Sequence, residues 1–186
     1  MPIPSKVRFK LSAVAMLATT LMLPILSYAQ QTIYLGTYTG PSSQGIYRCT
    51  LDEKTGQLGT AELVATTKNP SFIALRPDGK TLYSVSEEGQ STATAWSIDA
   101  HGKLSSLGQQ PTGGGSACHL SVDASGMSVV VANYSGTVAA FSIKEDGSLN
   151  ERSTLLKHTG SGPNKNRQEA SHTHSVYFDS TGRFLY

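Results

Sequence analysis

A chain of 186 residues with 38% hydrophobic and 15% charged content has enough apolar material for one packed domain and too little charge for a disordered segment. The formal net charge of +2 falls to −1 once three cations of an N-terminal leader, Lys6, Arg8 and Lys10, are set aside. A near-neutral domain lacks the basic footprint that nucleic-acid binding requires, and that class is excluded.

The leader has three parts. Lys6, Arg8 and Lys10 form a positive segment, Leu11 to Leu26 an apolar stretch broken by Pro24, and Ser27-Tyr28-Ala29 a small-x-small cleavage site. This is the grammar of a secretory signal peptide over residues 1–29, cut after Ala29. The apolar stretch is short for the roughly twenty residues of an uncleaved membrane anchor. The mature chain is therefore expected in the periplasm or outside the cell, touching a membrane only during export. Export places Cys49 and Cys118 in an oxidising compartment. A disulfide between them and two separate thiols both remain open, and no CxxC spacing of a zinc site occurs.

Beyond residue 30 the chain repeats itself. Apolar strands are predicted at Gly45–Leu51, Thr94–Ile98 and Thr137–Ile143, each followed by a polar turn whose glycine is Gly56, Gly102 or Gly147. Interleaved with them are three apolar hairpins, Phe72–Tyr83, His119–Val130 and Ser175–Tyr186, turning at Gly79, Gly126 and Gly182. The first glycine series is spaced 46 and 45 residues apart, the second 47 and 56. Two interleaved turn series sharing one period define a unit of four short strands in a meander, the signature of a β-propeller blade.

The inner strands are expected to pair Ile73 with Leu75, Leu120 with Val122 and Val176 with Phe178 on one face. Phe72 and Ala74 suggest burial of the other face as well, as when blades stack. No later segment has a capped helical period, so the fold class is all-β. A β-sandwich explains the strands but not the period. Residues 30–186 hold about three blades where a closed propeller needs four to eight, so this reads as part of a propeller domain, truncated at its C-terminus.

The longer 56-residue interval places extra chain near His158–His174, which gathers Arg167, Glu169, His172 and His174 within eight positions. In a propeller this link crosses one face and delivers its last residues to the mouth of the central channel. His174 opens an inner strand at the position matched by Cys118 and Ser71, and His119 is expected to enter the channel one residue further along its own strand. A carboxylate or neutral imidazole can take a proton from water, an imidazolium can return one, and a guanidinium can hold an anion or an oxyanion. That set suits hydrolysis of an ester or lactone by water, with Glu169 or a histidine as base and Arg167 as anion clamp. A solvated polar loop accounts for the same residues. His172 and His174 with Glu169 or Asp179 offer a metal alternative, and a serine hydrolase is excluded by the lack of a G-x-S-x-G elbow. Gly113–Cys118 lacks the Lys-Ser/Thr of a phosphate loop, and Trp96 is predicted in the core.

Several stretches also carry a resemblance: Tyr34–Gly40, Cys118–Asp123, Val131–Gly136, His158–Asn164, the run Arg167-Gln-Glu-x-x-His-x-His174, and Asp179-x-x-Gly-Arg-Phe-Leu-Tyr186. Together they resemble the seven-bladed propeller lactonases typified by the propeller-type 6-phosphogluconolactonase and related to carboxy-muconate cyclase. The resemblance implies a hydrolase that uses no cofactor and no metal, opens a sugar lactone, and is a monomer when full length. It implies that Arg167, Glu169, His172 and His174 line the pocket, with His119, Asn133 and Tyr134 contributed by the preceding blade. A non-catalytic binding propeller and a lactonising cyclase stand as the alternatives.

Overall fold

The computed structural model describes residues 31–186; the leader expected over residues 1–29 lies outside the described residues. Among the described residues, eleven strands build three antiparallel sheets. The first holds β1 (Gln31–Leu35), β2 (Gly45–Leu51) and β3 (Glu62–Thr66). The second is β4 (Ile73–Leu75), β5 (Thr81–Ser86), β6 (Thr92–Ile98) and β7 (Leu104–Pro111) in simple meander order. The third repeats it with β8 (Ala117–Val122), β9 (Ser128–Asn133), β10 (Thr137–Ile143) and β11 (Leu149–Lys157). No helix occurs among the described residues, and the all-β, bladed architecture stands.

The hairpin turns are copies of one another. The N–H of Gly79, Gly126 and Gly182 donates to the carbonyl three residues back, at Arg76, Asp123 and Asp179, over 2.9, 2.9 and 3.0 Å. Gly126 sits at φ 70°, where a Cβ costs free energy. The Asp123 carboxylate closes the same turn by accepting from Met127 and Ser128 N–H, and Asp179 does so for Arg183 and Phe184. Residues 175–186 thus begin another hairpin, with reciprocal backbone bonds of 2.8 Å between Tyr177 and Tyr186.

Hydrophobic alternation then stacks the sheets. In β5, Leu82 joins Ile46, Ala65, Trp96 and Leu104 between the first and second sheets. Its neighbours Tyr83 and Val85 point the other way, into the core shared with Ala117, Leu120, Val129, Val131 and Phe141 of the third sheet. Both faces of the middle sheet are therefore buried, as stacked blades require. Polar pins reinforce the stack. Tyr34 donates to the Gly102 carbonyl of the second sheet over 2.9 Å, and Tyr83 to Gly147 of the third over 2.9 Å. Burial pushes the Tyr83 phenol up to about 12, keeping it a donor. Trp96 is in the core, and its indole N–H donates to Ser84 Oγ.

Two expectations need correction. The first sheet has three strands, not four, because β1 occupies the place that β5 and β9 hold in their sheets and no strand lies inside it among the described residues. Leu75, expected to be buried beside Ile73, is 48% exposed for that reason. It borders a groove with Tyr34, Ile73, Ala74 and Leu82 where an innermost strand would lie.

Candidate functional site

In a four-strand meander, first-to-second and third-to-fourth connections leave at one end of the sheet. Second-to-third connections and the links to the next sheet leave at the other. Both glycine-turn series therefore occupy one end of the stack, and the chemistry-bearing loops converge on the opposite end. A cavity of about 410 Å³ opens there, lined by Tyr38, Ser71, Glu87, Ser116, Cys118, Tyr134, Arg167 and His174.

The repeat accounts for most of its wall. Ser71, Cys118 and His174 each lie eight residues before a hairpin glycine, and Glu87 and Tyr134 eight residues after one. Tyr38 comes from the corresponding loop of the first sheet, after β1. Ser116 and Arg167 come from the links between sheets. Ser116 adopts φ 53°, a conformation costly for a residue with a Cβ. Its N–H donates to the Glu88 carbonyl over 2.7 Å, and its carbonyl accepts from Tyr134 N–H over 2.8 Å.

The link from 158 to 175 is tied down mainly by side chains. His172 stacks on the Tyr134 ring at 4.3 Å and 14°; its Nδ1 lies 2.9 Å from the Tyr134 carbonyl oxygen and its Nε2 3.0 Å from Glu169 Oε1. Arg167 Nη2 donates to the Tyr134 hydroxyl over 3.3 Å. Between the two histidines, the Thr173 hydroxyl lies 2.5 Å from the Asn133 carbonyl oxygen and 2.9 Å from that of Thr137. His174 presents its ring edge-on to Tyr134, centroids 6.0 Å apart, and no hydrogen bond engages its ring nitrogens among the described residues. Glu169 is held below the usual carboxylate range by its own backbone N–H first, then by His172 and Arg167. Opposite them, the Tyr38 hydroxyl donates to Glu87 over 2.7 Å, which pushes that phenol up. Burial, then the Glu87 charge, pushes the Cys118 thiol up.

The residues named from the sequence divide into two groups. Arg167, His174 and Tyr134 line the cavity, with Glu169 and His172 directly behind them. His119 and Asn133 do not line it. Cys118 faces the cavity, so the next side chain on the strand turns the other way: the His119 ring lies between Phe72 and Tyr177, at centroid distances of 4.0 and 4.7 Å, and is 5% exposed. Asn133 is fully buried, accepting from the Thr112 hydroxyl and donating to Thr137 Oγ1. Both belong to the wall behind the pocket.

Tyr38, Glu87 and Ser116 are cavity residues that the sequence reading did not pick out; counting eight residues on from the hairpin glycine reaches Glu87. Cys49 is buried within the first sheet, and both cysteines are free thiols. No group of three or more His, Cys, Asp or Glu side chains able to hold a metal ion is gathered among the described residues.

Comparisons with known proteins agree with this architecture. The chain is 41% identical over 148 residues to a 6-phosphogluconolactonase of Bacillus subtilis (strain 168), a match covering 78% of this chain and 42% of that protein. It is 31% identical over 160 residues to a 6-phosphogluconolactonase of Formosa agariphila, covering 83% and 45%. The structure of a Pseudomonas aeruginosa periplasmic gluconolactonase superposes with a TM-score of 0.75 at 31% identity, covering 84% of this chain and 46% of that one. The chain thus spans less than half the length of these relatives. A family model described as a seven-bladed β-propeller lactonase matches residues 32–186, and the chain belongs to that family.

Proposed function

We propose that this chain carries the cavity of a hydrolase that opens a sugar lactone of the gluconate type. The observation that carries the reading is the pairing, at one cavity, of the Arg167 guanidinium with a His174 ring that is free of hydrogen bonds among the described residues. The names of the relatives, 6-phosphogluconolactonase and gluconolactonase, give the substrate class. Ring opening adds one water. His174 takes a proton as the water oxygen attacks the lactone carbonyl, and the tetrahedral intermediate collapses by breaking the bond to the ring oxygen. The same imidazolium then returns the proton to that oxygen. Arg167 meets the negative charge, on the developing oxyanion or on an anionic substituent. Glu169, kept ionised, holds His172 against Tyr134 and so shapes the wall beside both groups.

A lactone without phosphate is a second reading favoured by the charge of the wall: among the described residues Arg167 is the only Lys or Arg lining the cavity, and the Glu87 carboxylate offsets it. The leader residues support export of the chain, where such lactones are met. A pH-stat assay of proton release from 6-phosphogluconolactone and from glucono-δ-lactone separates the two. Hydrolysis of at least one above its spontaneous rate is expected. If the phosphate is what Arg167 holds, Arg167→Gln raises the KM of the phosphorylated lactone alone by about tenfold or more, the scale of a lost charge-assisted hydrogen bond. If it is not, both lactones change together. No acceleration of either lactone contradicts the proposal.

A further inference from the structure

His119 is absent from the cavity yet bonded to the segment that supplies His174. Its Nδ1 accepts the backbone N–H of Val176 over 3.3 Å, across 57 residues of sequence. The preceding residue grips the same segment: Cys118 Sγ lies 3.4 Å from the His174 carbonyl oxygen. An Nδ1 that accepts must be bare of hydrogen, so in the neutral ring the proton sits on Nε2, which is buried without a partner. A second proton would have to go on Nδ1, where it meets the Val176 N–H donor to donor and the bond is lost.

The surroundings oppose that second proton. Phe72 covers the ring from the sheet before it and Tyr177 from the segment after it. The titratable groups facing it are Tyr177 and His174, with Cys118 adjacent on its own strand, and no carboxylate lies within ion-pair distance among the described residues. Burial first, and the His174 charge second, hold the imidazole below its usual 6.5.

We propose that His119 is a positioning residue for His174: neutral, it anchors Val176 and fixes the segment between His174 and the hairpin that follows; protonated, it lets that segment go. The role rests on reading His174 as the general base. Because the ring is held neutral in the fold, its anchoring is complete above 6.5 and is lost as pH falls through the lower folded value.

The test has a readout independent of catalysis. Exchange of the Val176 amide, followed by NMR and corrected for intrinsic rates, should be protected at neutral pH and lose protection as His119 titrates. In His119→Asn, whose Oδ1 stands near the position of Nδ1 and does not titrate, protection should persist across the acid range and kcat should stay within a few-fold of the parent. In His119→Leu, protection should be lost at all pH values and kcat should fall on the order of 10²-fold, the scale of a misplaced catalytic group. Val176 protection indifferent to His119 protonation, or His119→Asn and His119→Leu behaving alike in exchange, overturns the inference. Where Val176 exchange follows His119 but neither variant changes kcat, the assignment of His174 as base is what fails. If His119→Leu does not fold, the titration and the Asn variant still decide.

Discussion

Replacing His174 with alanine is expected to lower kcat for lactone hydrolysis by on the order of 10²–10⁴-fold, the contribution typical of a positioned general base. The loss should fall on kcat far more than on KM, because among the described residues the ring makes no hydrogen bond that holds the wall together, and the proposal gives the task of meeting negative charge to Arg167. The melting temperature should stay near that of the parent, since His174 is exposed at the cavity. Glu169→Gln should cost less, because a carboxylate held below its usual range is a weak base and acts through His172. Steady-state kinetics by pH-stat on the two variants checks the order, and a larger loss for Glu169→Gln would move the base to that residue.

The largest loss of stability is expected from Phe141→Ala, about 3–5 kcal/mol, the range for deleting a buried aromatic ring. Phe141 is 1% exposed and belongs to the core shared by the second and third sheets. Deleting its ring leaves a cavity in a wall formed from both sheets, where neither can collapse without disturbing the other. Leu156→Ala removes a smaller, aliphatic group from a residue that is 54% exposed and should cost well under 1 kcal/mol. Urea unfolding with an unchanged m-value reads both. Equal losses would mean that the sheets do not share a core.

The blades were legible because their turns are chemically explicit. Asp-x-x-Gly at 123–126 and 179–182 names a reversal that only a glycine closes without strain, and the two glycine series, 45 to 47 residues apart outside the long link, give the period before any strand is assigned. Stacking followed from apolar residues on both faces of the inner strands. The direction of individual side chains at the mouth was not legible, and His119 shows why. In strands buried on both faces, hydrophobicity no longer marks parity, and a register shift between Ala117 and His119 in the β8–β9 ladder falls at the residue that faces the cavity. Cys118 therefore lines the pocket while the more chemically suggestive His119 is turned inward. Glu87 was passed over for a different reason. In sequence it is one of two adjacent glutamates in a short loop, and only the stacking of sheets brings it opposite Arg167 and His174. Arg167, Glu169, His172 and His174 could be grouped from the sequence because one long link carries all four.

The most direct measurement is the NMR footprint of the hydrolysis product, gluconate or its 6-phosphate, titrated into the protein. Amide shifts are predicted at Ser71, Glu87, Cys118, Tyr134 and His174, residues spread over the second and third sheets and the segment that follows, with Gly79, Gly126 and Gly147 at the opposite end unmoved. Shifts centred on those glycine turns, or confined to a single sheet, would contradict a shared cavity at the loop end of the stack.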